Sequence, residues 1–179
     1  LESAQTLERR SHDETLLHLG GKLGVALLDY DLDGRLDLFS GNGRAEPDVN
    51  RFESGYHFAA VPQLLWNRGR AWAAPSAPGA EGGAWAIPVV ARGIAVADLD
   101  GDGDSDVIIA QNNGAAIVLR NDQRSGLPWL CIALVATRTQ PEAGGARVEV
   151  HTPRRVLVRT MAPAMGYMSQ SESVLTFGL

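Results

Sequence analysis

The chain contains an internal repeat, and this repeat constrains the fold more than any other feature of the sequence. Residues 24–39 align with residues 93–108 without a gap, at a constant offset of 69 residues. In both copies an apolar run leads into an aspartate-rich segment and a second apolar run follows, which is the pattern of strand, loop and strand. A shorter echo follows each copy, at residues 64–68 and 118–122, and contains an asparagine typical of turns. A repeat of several strands predicts an all-β fold with β-propeller-like blades.

The charge distribution indicates two acidic centres. The chain has 179 residues, a net charge of −5 and 21 acidic residues, nine of which lie in the two repeated loops. Without those nine, 12 acidic residues would face 16 lysines and arginines. The basic residues are scattered without a run, which disfavours nucleic acid as a partner. No apolar run approaches the roughly 20 residues of a membrane span.

Both acidic segments have the spacing D-x-D-x-D-G-x-x-D, which brings oxygen ligands together. Side chains at positions 1, 3, 5 and 9 and the carbonyl of position 7 converge, and glycine at position 6 permits the sharp turn. Oxygen-only ligands in flexible geometry favour Ca²⁺ over zinc, copper and Mg²⁺. The sequence therefore predicts two calcium sites. Their ligands are Asp29, Asp31, Asp33, Arg35 and Asp37 in the first loop, and Asp98, Asp100, Asp102, Asp104 and Asp106 in the second.

Position 7 distinguishes the two loops. Arg35 holds this position in the first loop, where its cation opposes an incoming metal ion. Asp104 holds it in the second loop, where we expect the carboxylate to face solvent and to strengthen the local negative field. The second loop is therefore predicted to bind calcium more tightly.

Three further considerations define what these loops are. They are not EF-hands, because position 12, a bidentate glutamate in an EF-hand, is Ser40 in one loop and Ile109 in the other. An alternative interpretation is a pair of solvated Asp- and Gly-rich turns without a metal. A loop that nearly saturates calcium leaves little room for substrate, so a structural role is favoured over Lewis-acid catalysis.

The composition divides the chain into three parts. Residues 1–22 form an N-terminal segment, for which a short amphipathic helix is one interpretation. Residues 23–122 hold the two repeats, interrupted at 73–86 by a Pro-, Gly- and Ala-rich stretch that we expect to be a flexible insertion. In residues 128–179 apolar runs alternate with turn residues, which predicts a β-rich module.

The aspartate loops resemble the calcium loops of FG-GAP or VCBS repeats, the blade motifs of integrin-like propellers. The tail resembles the ASPIC and UnbV domain, which follows such repeats in cartilage acidic protein and in bacterial UnbV-type proteins encoded with enediyne-type natural-product pathways. Three segments carry this second resemblance: GARVEV at 145–150, GYMSQS at 166–171 and FGL at 177–179. Within GYMSQS, we interpret Ser169 and Gln170 as satisfying backbone groups of a tight turn beside Tyr167, with ligand contact as the alternative.

The resemblance implies an incomplete propeller followed by a truncated ASPIC/UnbV module, because the family continues into further strands. A closed propeller needs four to eight blades, and two are recognisable here. The chain is thus expected to associate with the rest of a longer protein, or to be a small relative that covers its blade edges by forming a homo-oligomer.

Two classes of function are compatible with these features. The first is a non-catalytic, calcium-stabilised module that binds a protein or other partner; no catalytic residues are predicted, because no acid, base or nucleophile constellation is present. The second, suggested only by the resemblance, is a calcium-dependent cyclase or accessory enzyme acting on a small natural-product ligand. A purely structural assembly role would look identical in sequence. The family favours an extracellular or periplasmic location over a cytoplasmic one.

An enzyme of this kind would need an apolar pocket for its ligand. The aromatic residues are the natural candidates to line it. They are Tyr56, Trp66, Trp72, Trp85 and Trp129.

Overall fold

The computed structural model describes residues 24–52, 57–73, 87–123, 125–138, 142–162 and 164–179. Within these ranges the chain is almost entirely β, as the sequence predicted. The strands are β1 (Gly24–Leu28), β2 (Asp37–Gly41), β3 (Gln63–Asn67), β4 (Trp72–Ala73), β5 (Ala91–Ala97), β6 (Asp106–Gln111), β7 (Ile117–Leu119), β8 (Trp129–Ala133), β9 (Arg147–His151), β10 (Val156–Thr160) and β11 (Val174–Gly178), with one helical turn, α1 (Val49–Phe52).

Two predicted segments fall largely outside the described residues. The N-terminal segment 1–22 lies wholly outside them. Of the predicted insertion at 73–86, only Ala73 is described, and it belongs to strand β4. No helix in the described ranges is long and apolar enough to cross a bilayer.

The sequence repeat is also a structural repeat. The first copy forms an antiparallel sheet in the order β1-β2-β3-β4, and the second forms one in the order β5-β6-β7. Strands β1 and β2 correspond to β5 and β6, and an aspartate loop joins each pair. The alternation of buried and half-buried residues in β1 shows why these segments are strands with one face in a core.

Both sheets bury their apolar faces in one shared core. β1 contacts β5, and Gly24 is needed at this crossing because a Cβ there would lie 2.6 Å from the Ile94 side chain. A backbone hydrogen bond from Ala91 to the Asn42 carbonyl (2.9 Å) ties the two sheets. The buried core residues are Ala26, Leu28, Phe39, Leu64, Val89, Ala91, Ile94, Val96, Val107, Ile109 and Leu119.

The C-terminal module consists of two antiparallel ribbons, β8 with β11 and β9 with β10. Its strands are less buried than those of the repeats, and β9 alternates between exposed and half-buried residues. Leu157, Met161 and Phe177 are its buried apolar side chains among the described residues. Much of this module is therefore ordered by contacts with the repeats rather than by a large core of its own.

The segment that precedes β11 covers the open edge of β5. Three of its side chains accept hydrogen bonds from alternate backbone N–H groups of that edge. The pairs are Ser169 Oγ with Ile94 (2.9 Å), Ser171 Oγ with Val96 (3.0 Å) and Glu172 Oε1 with Asp98 (3.0 Å). Ser169 also donates to the Tyr167 carbonyl (2.7 Å), as the tight-turn interpretation predicts. One blade edge is thus covered within the chain itself.

Candidate metal centres

The two aspartate loops connect β1 to β2 and β5 to β6, and both turn sharply at positions 4 and 6 of the motif. Glycine holds position 6 in each loop, with φ of 83° at Gly34 and 95° at Gly103. Position 4 is also left-handed, with φ of 57° at Leu32 and 79° at Gly101. Leu32 is strained in this conformation, but its side chain is buried. The glycines at position 6 thus have the conformational role that the sequence predicted.

Each loop gathers three carboxylates. Oxygens of Asp29, Asp31 and Asp37 lie within 4.8 Å of one another in the first loop, which we call the first cluster. Oxygens of the corresponding Asp98, Asp100 and Asp106 do the same in the second loop, the second cluster. These residues hold positions 1, 3 and 9 of the motif. Three carboxylates this close repel one another unless a cation neutralises them.

The aspartates at position 5 are not in the clusters. Asp33 Oδ1 accepts a hydrogen bond from the Arg35 N–H (2.9 Å), and its Oδ2 pairs with the Arg35 guanidinium. Asp102 Oδ1 similarly accepts a bond from the Asp104 N–H (3.2 Å). The structure therefore brings together three of the four predicted side-chain ligands in each loop, and the fourth, at position 5, accepts a bond from the N–H two residues further along.

The aspartates at position 9 are also structural anchors. Asp37 accepts bonds from the N–H groups of Tyr30 (2.9 Å) and Asn67 (2.7 Å). Asp106 accepts the equivalent bonds from Leu99 (2.9 Å) and Asn121 (2.7 Å). Sequence reasoning missed this role, although the shared asparagine of residues 64–68 and 118–122 was its signal. Burial raises the pKa of Asp37 to about 6, against the effect of its backbone hydrogen bonds.

The aspartates at position 1 have different neighbours in the two loops. Asp29 Oδ1 accepts a bond from Gly34 (3.1 Å), and its Oδ2 accepts bonds from the Gly178 N–H (3.0 Å) and Arg159 (3.4 Å). Asp98 is bonded within its own loop, to the N–H groups of Gly101 (2.8 Å) and Gly103 (3.0 Å). Burial raises the pKa of Asp29, while Gly178 and Arg159 oppose that shift.

The two residues at position 7 behave differently from each other. Arg35 holds Asp33 and also donates its Nε–H to the Asn67 carbonyl (2.6 Å). Asp104 is buried, with 2% of its surface exposed, so the expectation that it faces solvent is wrong. Burial, and to a smaller extent the charge of Asp104, raise the pKa of Tyr30. Burial, together with hydrogen bonding to Asp102, raises the pKa of Asp104 itself.

The β8–β11 ribbon contacts both loops at one of its ends. Trp129 and Gly178 are partners in this ribbon. A Cβ on Gly178 would lie 2.0 Å from the Leu32 carbonyl oxygen of the first loop. A Cβ on Gly103 of the second loop would lie 2.0 Å from the Trp129 ring. The C-terminal module is therefore packed against the backbone of both candidate metal loops, which local sequence patterns could not show.

A cavity of about 380 Å³ lies between the repeats and the C-terminal module. Its wall includes Leu27, Val96 and Leu175, with Asp29 of the first cluster and Arg159 at its polar side. Among the described residues, none of the aromatic side chains proposed as a lining borders this cavity. Trp66 packs instead against the Tyr30 ring, with centroids 6.1 Å apart. Trp72 and Trp129 are about 40% exposed, and Tyr56 and Trp85 lie outside the described residues.

Comparison with known families agrees with the geometry. Residues 29–109 match the family described as FG-GAP-like repeat, and residues 136–179 match the family described as ASPIC and UnbV. No curated protein matches the chain. Both matches lie inside the segments predicted from sequence, 23–122 and 128–179, whose outer boundaries stay predictions. The chain thus carries an FG-GAP-like repeat region followed by an ASPIC and UnbV domain, which confirms the predicted resemblance.

Proposed function

We propose that this protein is a calcium-stabilised, β-propeller-type module that binds a protein or other partner and catalyses no reaction. The observation that carries the proposal is the duplicated carboxylate cluster, with three oxygens within 4.8 Å in each copy. A single acidic cluster is common on protein surfaces. Two clusters at the same motif positions, in an FG-GAP-like repeat, are a much stronger indication of a shared ligand.

The donor set fits calcium. Every side-chain donor in both clusters is a carboxylate oxygen, which hard cations prefer, and the loops offer neither sulfur nor imidazole. Asp33 and Asp102 lie at position 5, where a change of side-chain rotamer would add a further carboxylate to each shell. The backbone carbonyls of Arg35 and Asp104 are the proposed ligands from position 7. The ten sequence-predicted residues therefore remain our proposed ligand set.

The arrangement favours a stabilising role for the metal. Asp37 bonds the N–H of Asn67 at the end of β3, and Asp106 bonds the N–H of Asn121 just after β7. The clusters are therefore part of the hydrogen-bond framework of the blades. Neutralising such a cluster stabilises the folded chain, because the binding free energy is available only when the loop is formed.

Thermal unfolding tests this role. At free calcium about 100 times the dissociation constant, each occupied site is expected to contribute about 2.7 kcal/mol to the free energy of unfolding. We expect the melting temperature in calcium to exceed that in excess chelator, and Asp31→Ala or Asp100→Ala, the matched position-3 variants, to remove part of the difference. Equal melting temperatures in calcium and chelator would contradict the proposal.

The family match favours a binding role for the module. We propose a protein partner, which includes a second copy of the chain or further segments of a longer protein. We also propose an extracellular or periplasmic location, where calcium reaches the about 10⁻⁴ to 10⁻³ M that weak oxygen sites of extracellular modules require.

One observation favours the second candidate function, a calcium-dependent cyclase or accessory enzyme for a small natural product. The cavity of about 380 Å³ is of ligand size and is lined by Asp29 of the first cluster. Mass spectrometry of molecules extracted from the purified protein tests this candidate. A bound small molecule recovered in stoichiometric amount would favour the enzyme, and its absence would favour the binding module.

A further inference from the structure

The C-terminal module presents side chains of opposite charge to the two aspartate loops. Arg159, on β10, reaches the first loop, and Glu172, just before β11, reaches the second. Neither residue belongs to the aspartate motif. The two loops share their motif aspartates and already differ in charge at position 7, so these contacts add a second electrostatic difference between them.

Arg159 is firmly held at the first loop. Its Nη2 donates to Asp29 Oδ2 (3.4 Å) and to the Gly34 carbonyl (3.1 Å), which are positions 1 and 6 of the motif. The side chain of Arg159 is 10% exposed and that of Asp29 is 1% exposed. Its guanidinium also lies over the Phe177 ring, 5.2 Å from the centroid. This cation is therefore fixed, poorly screened by water and bonded to a carboxylate of the first cluster.

Two other arginines add positive charge to the same loop. Arg155 donates to the Asp33 carbonyl, and Arg35 pairs with the Asp33 carboxylate. The first loop therefore has three guanidinium groups in contact with its backbone or side chains.

Glu172 places negative charge at the second loop. Its Oε1 accepts a hydrogen bond from the Asp98 N–H (3.0 Å), at position 1 of the motif, and its own N–H donates to the Val96 carbonyl (3.1 Å). Glu172 is thus held through both its side chain and its backbone. Burial, with smaller contributions from the charges of Asp98 and Asp106, raises the pKa of Glu172.

We propose that the C-terminal module sets the metal affinities of the two loops apart, with Arg159 weakening cation binding at the first loop and Glu172 strengthening it at the second. This inference rests on the proposed function, because it concerns the affinity of the same two calcium sites. It makes the ASPIC and UnbV domain a regulator of the repeats rather than a neighbour that only packs against them.

The effect follows from charge and burial. A fixed guanidinium beside Asp29 repels a divalent cation and competes for the same carboxylate, and a fixed carboxylate beside Asp98 attracts it. Because both groups are partly shielded from water, salt screens them less than it screens ordinary surface charges. We expect each to change the dissociation constant about tenfold, within the roughly 5- to 150-fold range of coupling between protein sites.

Calcium titration of single-site proteins tests the first half of the proposal. Asp100→Ala disables the second loop, so that calorimetry reports the first loop alone. In that background Arg159→Gln should tighten calcium binding about tenfold, and Arg159→Lys, which keeps the charge, should tighten it much less. Arg138→Gln is the matched control, because Arg138 is an exposed arginine of the same module.

The role of Glu172 is tested in a protein that keeps only the second loop. Asp31→Ala disables the first loop, and Glu172→Gln should then weaken calcium binding at the second loop about tenfold. Glutamine keeps an oxygen that accepts the Asp98 N–H bond, so this variant isolates the charge. Glu142→Gln, at an exposed glutamate of the same module, should change nothing.

The outcomes separate this inference from the proposed function. Single-site proteins that bind no calcium would overturn the proposed function itself. Sites that bind calcium but keep their affinities in Arg159→Gln and Glu172→Gln would overturn only the inference, as would equal tightening by Arg159→Gln and Arg159→Lys. Circular dichroism in chelator checks folding, and if Arg159→Gln does not fold, Glu172→Gln alone decides: an unchanged affinity there overturns the proposal.

Discussion

The first and second aspartate loops share several hydrogen bonds and differ in their surroundings. In both, the position-1 carboxylate accepts the N–H of the position-6 glycine, and the position-9 carboxylate accepts two further N–H groups. In the first loop, Asp29 is buried and is bonded to the C-terminal module. In the second loop the tip is open to solvent, with Leu99 50% exposed. The repeat motif thus encodes the geometry of the loop, whereas distant parts of the chain determine its burial and charge.

The two asparagines that bond the position-9 aspartates also have the same backbone contact and different side-chain contacts. Asn67 and Asn121 both donate their backbone N–H to a position-9 aspartate. The Asn67 side chain then bonds the Leu36 carbonyl (3.1 Å), within its own repeat. The Asn121 side chain bonds the Tyr30 carbonyl (2.9 Å), in the other repeat. The second anchor therefore also connects the two blades.

The largest loss of stability is expected in Asp106→Ala, with Asp100→Ala as its comparison, both measured in excess chelator. Asp106→Ala removes the acceptor of the buried N–H group of Asn121 and of the part-buried N–H group of Leu99, so the free energy of unfolding should fall by about 3 kcal/mol. Asp100 is exposed, and its replacement should cost well under about 1 kcal/mol. Denaturant unfolding measures both. Similar losses for the two variants would show that position 9 has no anchoring role beyond that of a metal ligand.

A smaller change in stability is expected from pH, with Asp37 of the first loop as its main source. Burial raises the pKa of Asp37 to about 6, so the folded state takes up a proton more readily than the unfolded state does. In chelator, stability should therefore rise as the pH falls from 7 to 5, by about 1.4 kcal/mol for this group. Asp29 and Asp104, whose pKa values burial also raises, act in the same direction.

Calcium reverses the pH trend, because the metal binds the ionised carboxylates. The difference between the melting temperatures in calcium and in chelator should shrink over the same pH range. Melting curves at several pH values, with and without calcium, measure both trends. A chelator-treated protein that loses stability from pH 7 to pH 5 would contradict the assigned cause.

The smallest effect concerns the link between the blades. Asn67→Ala and Asn121→Ala each remove a side-chain amide bond and should each cost about 1 kcal/mol. Hydrogen exchange should distinguish them, since Asn121→Ala is expected to speed amide exchange in both repeats and Asn67→Ala mainly in the first. Identical exchange patterns would show that the bond from Asn121 to Tyr30 does not couple the repeats.

The sequence predicted what is encoded locally. The gapless repeat identified both loops and their flanking strands, because the spacing of aspartates and the glycines Gly34 and Gly103 act over a few residues. The side-chain positions that it did not predict depend on distant segments. Asp104 is buried, and the cavity is formed by strands of four different sheets. No pattern in the loops themselves indicates that Arg159 and Glu172, from the end of the chain, would approach them.

The most direct test of the central claim is calorimetric titration of chelator-treated protein with calcium. We predict two bound ions per chain, falling to one in both Asp31→Ala and Asp100→Ala, with dissociation constants of about 10⁻⁶ to 10⁻³ M. The tighter of the two sites should be the one that Asp100→Ala removes. A titration without heat, a single site that neither variant affects, or clearly tighter binding of Zn²⁺ would contradict the account.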